Sequence, residues 1–435
     1  MVAKVTGGYR QGKTALFLIA CGWAGAMPHF MAPGKGLFPA LTLAFILGGY
    51  GLRTVISSDK TNKKLLSTSS SKENQIDNFP SVDVLVAARD EEQVIKRLVK
   101  QINSLNYPKD SLSLWVIDDG SKDKTAFILD QLIHQFDNLN VIKRDSNAGG
   151  GKSGALNFAL SQTQGEWLLV LDADAQLQED FLLRSISIAV SQKLSALQLR
   201  KAVINPTKSL LTLFQAMEMT MDTVIQEGRQ FSGGVVELRG NGQLLRRDVI
   251  DRCGGFNEDT VTDDLDLSFR LLISGASAGI LWDPPVQEEA VDTLSALWKQ
   301  RQRWAEGGLQ RFFDYFSFLI SNNLSIKQRQ DLLCFFLLQY ALPVVSLYDL
   351  IIALFSKTYP LYWPLSLIAL VISGLAFWKG SSRQKEGPNF LSPNLIKIIM
   401  AMIYLSHWFI VIPWVAIKMA LFPKKLIWVK TSHKG

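Results

Sequence analysis

Two short stretches place paired carboxylates where an extended apolar run stops: Asp118-Asp119 closes LSLWVIDDGS, and Asp172-Ala173-Asp174 closes WLLVLDADA. Adjacent like charges repel unless a cation or a donor joins them. One such Asp is explained as a helix cap; two pairs call for more. In Asp172-Ala173-Asp174 the middle residue faces the other way, so both carboxylates point to one side of an extended chain. Hard oxygen ligands so arranged, with other positions left to water and phosphate, suit Mg²⁺ or Mn²⁺. A third cluster, Thr262-Asp263-Asp264-Leu265-Asp266, crowds three acids ahead of a helical pattern. The helix dipole accounts for Asp266. Asp263 and Asp264 are surplus to it.

Between the first two pairs runs SNAGGGKSGALN, residues 146–157. Glycines followed by a lysine can hold phosphate oxygens through bare backbone N–H groups and one cation. The phosphate loop of ATP-hydrolysing proteins needs a leading glycine where this chain has Ser146, so that pattern fails. On this segment alone, a phosphate cradle and a plain strand-to-helix turn stay equally open. Further on, Gln300, Arg303 and Trp304 stand in the spacing Gln-x-x-Arg-Trp within LWKQRQRWAEGG. Arginine forks onto diphosphate oxygens, and tryptophan offers a flat face to a sugar or glycerol unit. The amphipathic GLQRFFDYFSFLI that follows reads as a helix lying in a membrane surface. Cys21, Cys253 and Cys334 are scattered, as are the four histidines, and no CxxC occurs. Zinc and disulfide chemistry are not indicated, which leaves the work to carboxylates.

The elements that must position these groups alternate. SVDVLVAA, LSLWVIDD, NVIKR and WLLVLD read as strands, separated by segments of helical spacing such as EEQVIKRLVKQINSL and TAFILDQLIHQF. Such units imply an α/β fold with a mostly parallel sheet and helices on both faces. Ligands of these sheets sit at the carboxyl ends of the strands, where both Asp pairs and the glycine loop fall.

With 435 residues and 48% hydrophobic composition, yet 20% charged, the chain is segregated rather than uniform. Stretches 14–31, 37–56, 332–355, 361–378 and 398–417 are nearly free of charge, each close to the ~20 residues that cross a bilayer. Lysines and Arg10 flank the first two runs, so the expectation is an N-terminal hairpin (1–57) with both ends cytoplasmic. A polar linker (58–79), a catalytic domain (80–312) ending in an interfacial helix, and a C-terminal membrane region (313–435) complete the plan. The loop 379–397 and the tail after Phe422 are both basic. Three full C-terminal crossings would put them on opposite sides, so one run is expected to lie in the interface. The net charge of +7 sits beside apolar runs, which fits membrane lipid headgroups and not nucleic acid.

Taken in order, ARDEE, DDGS, GGGKSGALN, DAD, TDDLD and QRQRW over residues 88–304 resemble the family 2 glycosyltransferases, inverting enzymes of the GT-A fold related to cellulose and hyaluronan synthases. LRGNGQ, CGGFNEDTVTDDLDL, RWAEGG and LIWVKTSHKG narrow the likeness to the cyanobacterial branch that moves glucose from UDP-glucose to diacylglycerol. The resemblance implies that Asp118 and Asp119 contact uridine with Glu91 near the nucleotide, and that Lys152 lies by uracil or phosphate. It implies that Asp172 and Asp174 hold the Mg²⁺ or Mn²⁺ diphosphate unit. Asp264 takes the place of the general base, beside Asp263 where that family usually has Glu. Gln300, Arg303 and Trp304 would bracket diphosphate and acceptor, with Arg239 and Asn241 also at the substrate. The branch further implies a multi-pass protein with its catalytic domain on the cytoplasmic face of a plasma or thylakoid membrane. The alternatives are a processive polysaccharide synthase, which shares every motif through Trp304, and a nucleotide-hydrolysing transporter subunit, suggested by GGGKS alone.

Overall fold

The computed structural model describes residues 9–69, 79–319, 323–383 and 394–422. Two helices open the chain, α1 (Arg10–Ala26) and α2 (Phe38–Ser69). The central unit runs β1 (Val82–Ala88), α3 (Ile95–Asn103), β2 (Leu112–Asp119), α4 (Thr125–Leu132), β3 (Leu139–Arg144), α5 (Gly151–Leu160) and β4 (Trp167–Leu171). It continues with α6 (Phe181–Ser191), β5 (Ala196–Val203), α7 (Leu210–Phe231), β6 (Gln243–Arg246), α8 (Arg247–Arg252), α9 (Asp263–Ile273), β7 (Ala278–Glu288) and α10 (Leu294–Asp314). After α11 (Phe316–Leu319), α12 (Ile326–Phe336) passes through a π-helical turn, Leu337–Ala341, into α13 (Leu342–Ser356). The last helices are α14 (Trp363–Ser382), α15 (Leu395–Leu405) and α16 (Trp408–Leu421).

The strands form one sheet in the order β3-β2-β1-β4-β6-β5-β7. Only β6 is antiparallel, to β4 and β5. The Val-rich β1 has all seven residues buried, as a parallel strand covered on both faces must be. Alternation divides its side chains: Val82, Val84 and Val86 join the core under α3, α4 and α6, while Leu85 and Ala87 pack with α5, α8 and α9. Register then sets the active edge. Ala88 pairs with Asp118 and Val86 with Leu171, so β1, β2 and β4 all end on one side and present Asp118, Asp119 and Asp172 there.

Among the described residues, four helical stretches are long and apolar enough to cross a membrane: Phe38–Lys60, Ile326–Ser356, Trp363–Ser382 and Leu395–Leu421. The first expected crossing, 14–31, forms the shorter α1 of 17 residues and a 3-10 turn, Met27–Phe30. Expected as a hairpin, α1 and α2 pack chiefly on other elements. α1 lies against α13 and α16, and α2 against α7 and α14. The stretch read as a polar linker is helical through Ser69, and residues 70–78 lie outside the described part.

The helix expected to lie in a membrane surface is corrected by burial. Every residue from Ala305 to Asp314 in α10 is buried, with Leu309, Phe312 and Phe313 inside a core shared with α9, α12, α13 and α16. The aromatic face met protein because the C-terminal helices fold back beneath it. Gly307 and Gly308 permit the close approach: a Cβ at Gly307 would collide with Thr262, and one at Gly308 with the Tyr340 hydroxyl.

Candidate active site

A cavity of about 530 Å³ opens at the carboxyl edge of the sheet and continues between the C-terminal helices. Glu91, Lys152, Asp172, Asp174, Arg239, Asp263, Asp264, Gln300, Arg303 and Trp304 all line it. Residues separated by more than 200 positions in sequence therefore share one space.

The glycine loop turns sharply. Gly149, Gly150 and Gly151 have φ of 73°, 70° and 53°, left-handed values that glycine adopts without penalty, and α5 starts at Gly151. Glu258 closes against the loop, where a Cβ at Gly150 would strike its carboxylate. Lys152, one residue into α5, reaches across to Asp172, Nζ to Oδ1 2.5 Å. Burial works against that ammonium, yet Asp172 and then Asp263 hold its pKa above the usual range.

Asp172 and Asp174 follow the end of β4 in a turn closed by the Ala175 amide on the Asp172 carbonyl, not in the extended, alternating chain expected, and both still line the cavity. The Asp172 amide donates to Asn241 Oδ1 at 3.1 Å, and Asp174 Oδ2 accepts the Glu289 amide at 3.1 Å. Among the described residues no group of three or more His, Cys, Asp or Glu is placed to hold a metal ion. Two carboxylates on one strand end still fit a cation that takes one or two protein oxygens and completes its shell with phosphate and water, as Mg²⁺ does.

Asp263 and Asp264 occupy the first turn of α9. Burial raises the Asp264 pKa to about 6, with the Asp263 charge adding to it, while a backbone N–H from Leu265 and the cations Lys152 and Arg239 pull the other way. A carboxylate poised near neutrality can accept a proton and is still ionised at physiological pH. Arg239 is fixed beside it, donating through Nε and Nη2 to Asp222 and through Nη1 to Glu237.

Three expected residues stand off the cavity. Asp118 accepts the Ser121 amide at 2.9 Å, and Asp119 pairs with Arg144 at 2.5 Å; both end β2, beside the strands that border the cavity. Burial raises the Asp119 pKa, opposed by Arg144 and Arg89. Asn241 is fully buried. Its amide donates to Glu288 at 3.2 Å while its oxygen holds the Asp172 backbone, so it sets the floor of the site. Sequence reasoning missed Asp222, Glu237 and Glu218, which carry no motif of their own. All three sit opposite arginines of recognisable motifs, and only tertiary packing brings them there.

A mostly parallel sheet with a polar cavity of carboxylates, a lysine and an arginine at its strand ends defines a nucleotide-sugar transferase of the GT-A type. Residues 80–307 match the family described as glycosyltransferase like family 2, and the chain belongs to that family. It is 42% identical to the β-monoglucosyldiacylglycerol synthase of Synechocystis sp. over 98% of this chain and 88% of that protein. To the synthase of the same name from Nostoc sp. it is 39% identical, over 98% and 90%. A mannosyltransferase from Pyrobaculum calidifontis, solved with GDP-Man and Mn²⁺, shares the fold with a TM-score of 0.57 at 18% identity, over 88% of this chain and 99% of that one.

Proposed function

We propose that this glycosyltransferase moves glucose from UDP-glucose to the sn-3 hydroxyl of 1,2-diacylglycerol, giving β-monoglucosyldiacylglycerol. The observation that carries the reading is the shape of the cavity. Its polar end holds Asp172, Asp174, Asp264 and Arg303, and the same space runs on to Phe335, Leu338, Leu370, Leu405 and Phe409 on the apolar helices. A two-ended substrate, hydroxyl at one end and hydrocarbon at the other, matches that gradient. A growing polysaccharide would meet an apolar wall.

In this mechanism Asp264 takes the proton of the acceptor hydroxyl as its oxygen attacks the anomeric carbon. The bond from that carbon to the UDP oxygen breaks on the opposite face, so an α-linked donor yields a β-glucoside. Such a base contributes ~10²–10⁴-fold. Arg303 and Lys152 face the growing charge on the diphosphate. A divalent cation on Asp172 and Asp174 would neutralise the same oxygens when bound. Asp118, Asp119 and Glu91 are assigned to the uridine side, Gln300 and Trp304 to the acceptor side, and Asp263 tunes the base.

The catalytic domain is assigned to the cytoplasmic face of the membrane. Arg10 at the start of α1 pairs with Asp314, and Lys379 and Arg383 at the end of α14 pair with Asp59 near the end of the apolar part of α2. These ends therefore gather beside the catalytic domain. Both ends of α16 lie on that same side: Trp408 donates to Glu218 of α7, and the Ala420 carbonyl accepts from Gln11, next to Arg10 at the start of α1. The pair α15 and α16 is assigned to the interface, not to a crossing, which leaves both basic C-terminal segments on one side.

The test is incubation of purified protein with diacylglycerol and a panel of labelled nucleotide sugars. Label from UDP-glucose in a lipid-extractable β-monoglucoside is expected. Label in insoluble polymer, or from another donor only, would overturn the assignment.

A further inference from the structure

Two side chains of QRQRW, Arg301 and Gln302, have no part in the reaction above, and Arg301 is the buried one. Arg301 is 1% exposed and, unlike Gln300, Arg303 and Trp304, does not line the cavity. Its guanidinium donates to Glu218 Oε2 at 2.5 Å, to the Tyr404 hydroxyl at 3.1 Å and to Gln300 Oε1 at 2.8 Å. Both Glu218 oxygens are used: Oε2 also accepts from Tyr404 at 2.9 Å, and Oε1 accepts the Trp408 indole N–H at 2.9 Å. Four helices, α7, α10, α15 and α16, meet at one ion pair.

Apolar packing would dock these helices with less desolvation than a buried ion pair. What the pair adds is orientation. The Arg301 guanidinium lies over the Trp304 ring at 4.1 Å and near the Trp408 ring at 5.7 Å. Both indoles line the cavity, Trp304 beside Arg303 at the polar end, and Trp408 beside Leu405 and Phe409 at the apolar end. The junction between them is where a lipid's glycerol must sit if its hydroxyl is to reach Asp264. A tryptophan with its N–H satisfied by protein offers only its face to a ligand.

We infer that Glu218 and Arg301 form a positioning clamp, and that Trp408, held by Glu218, is an acceptor-selecting residue that recognises the glycerol–acyl junction of the lipid. The inference rests on the reading that the acceptor is a diacylglycerol. Trp408 binds the lipid and not the nucleotide, so its loss falls on one Michaelis constant.

The experiment uses the full chain in detergent micelles with labelled UDP-glucose and dioleoylglycerol. Trp408→Ala is expected to raise KM for dioleoylglycerol at least about tenfold, the factor for ~1.4 kcal/mol, and to leave KM for UDP-glucose within about twofold. Glu218→Gln is expected to move the same constant in the same direction, because it loosens Trp408. Trp408→Phe, which keeps a ring without the N–H, recovers part of the loss. UDP binding and thermal unfolding of each variant report whether the protein is folded. An active wild type whose variants keep the lipid KM, or lose both constants together, overturns the clamp alone. A wild type inactive on dioleoylglycerol overturns the functional reading, and this choice of acceptor with it.

Discussion

Asp264 joins a catalytic position to an environment that tunes it. Its pKa of about 6 arises first from burial and then from the negative Asp263 next to it. The base must be ionised to accept a proton, so kcat/KM should climb as pH rises to about 6 and level off above. An unperturbed Asp, near ~3.9, would place the bend lower. Asp263→Asn removes the neighbouring charge and should move the bend downwards, which a pH–rate profile resolves. Asp264→Asn keeps the shape without the basicity. Its kcat should fall by ~10²–10⁴-fold while calorimetry finds UDP still bound. Retained turnover in that variant would remove the base from the mechanism. Asp264 was legible in the sequence as an acid surplus to helix capping. The charge that raises it was legible too, since Asp263 is adjacent; the burial was not.

At the scale of elements, glycines report where helices must touch. Gly228 in α7 lies so close to α2 that a Cβ would overlap the Thr54 carbonyl. A backbone atom cannot rotate away, so Gly228→Ala should push the helices apart and cost ~1–3 kcal/mol, read as a lower thermal midpoint in detergent. Gly307→Ala should act differently. It presses α10 against Thr262, next to Asp263, and is expected to reduce kcat as well as stability. The motif RWAEGG was visible as a string of residues. Its reason, two helices and a catalytic loop packed against small side chains, lies in the crossing of α10 with segments distant in sequence. The same crossing explains why the amphipathic pattern after Trp304 pointed to a membrane surface. Periodicity identifies an apolar face but not its partner.

For the molecule as a whole, the catalytic unit and the apolar helices are joined by charge as well as by packing. Arg229 of α7 is fully buried and pairs with Asp331 of α12 at 2.9 Å and Glu237 at 3.5 Å. Glu237 also pairs with Arg311 and with Arg239 beside the base. Despite burial, these arginines hold the Glu237 pKa well below the usual carboxylate range. Asp331→Ala would strand the Arg229 guanidinium without its main partner and should cost ~3–5 kcal/mol. Thermal unfolding measures it; a loss under ~1 kcal/mol, the range of exposed pairs, would mean that the network carries little. Because the chain of pairs ends at Arg239, the variant's pH–rate bend should shift as well.

The sequence by itself determined the α/β class, the order of motifs, the apolar segments and ten of the side chains that line the cavity. Those follow from local physics: strand alternation, helix spacing, and carboxylates too crowded to be caps alone. Only the tertiary structure decided that α10 is buried, that Asn241 supports the floor of the site, and that the C-terminal helices extend the sugar site into an apolar space. Each of these depends on what packs against a face, and pairing between distant segments leaves no periodic trace in a single chain.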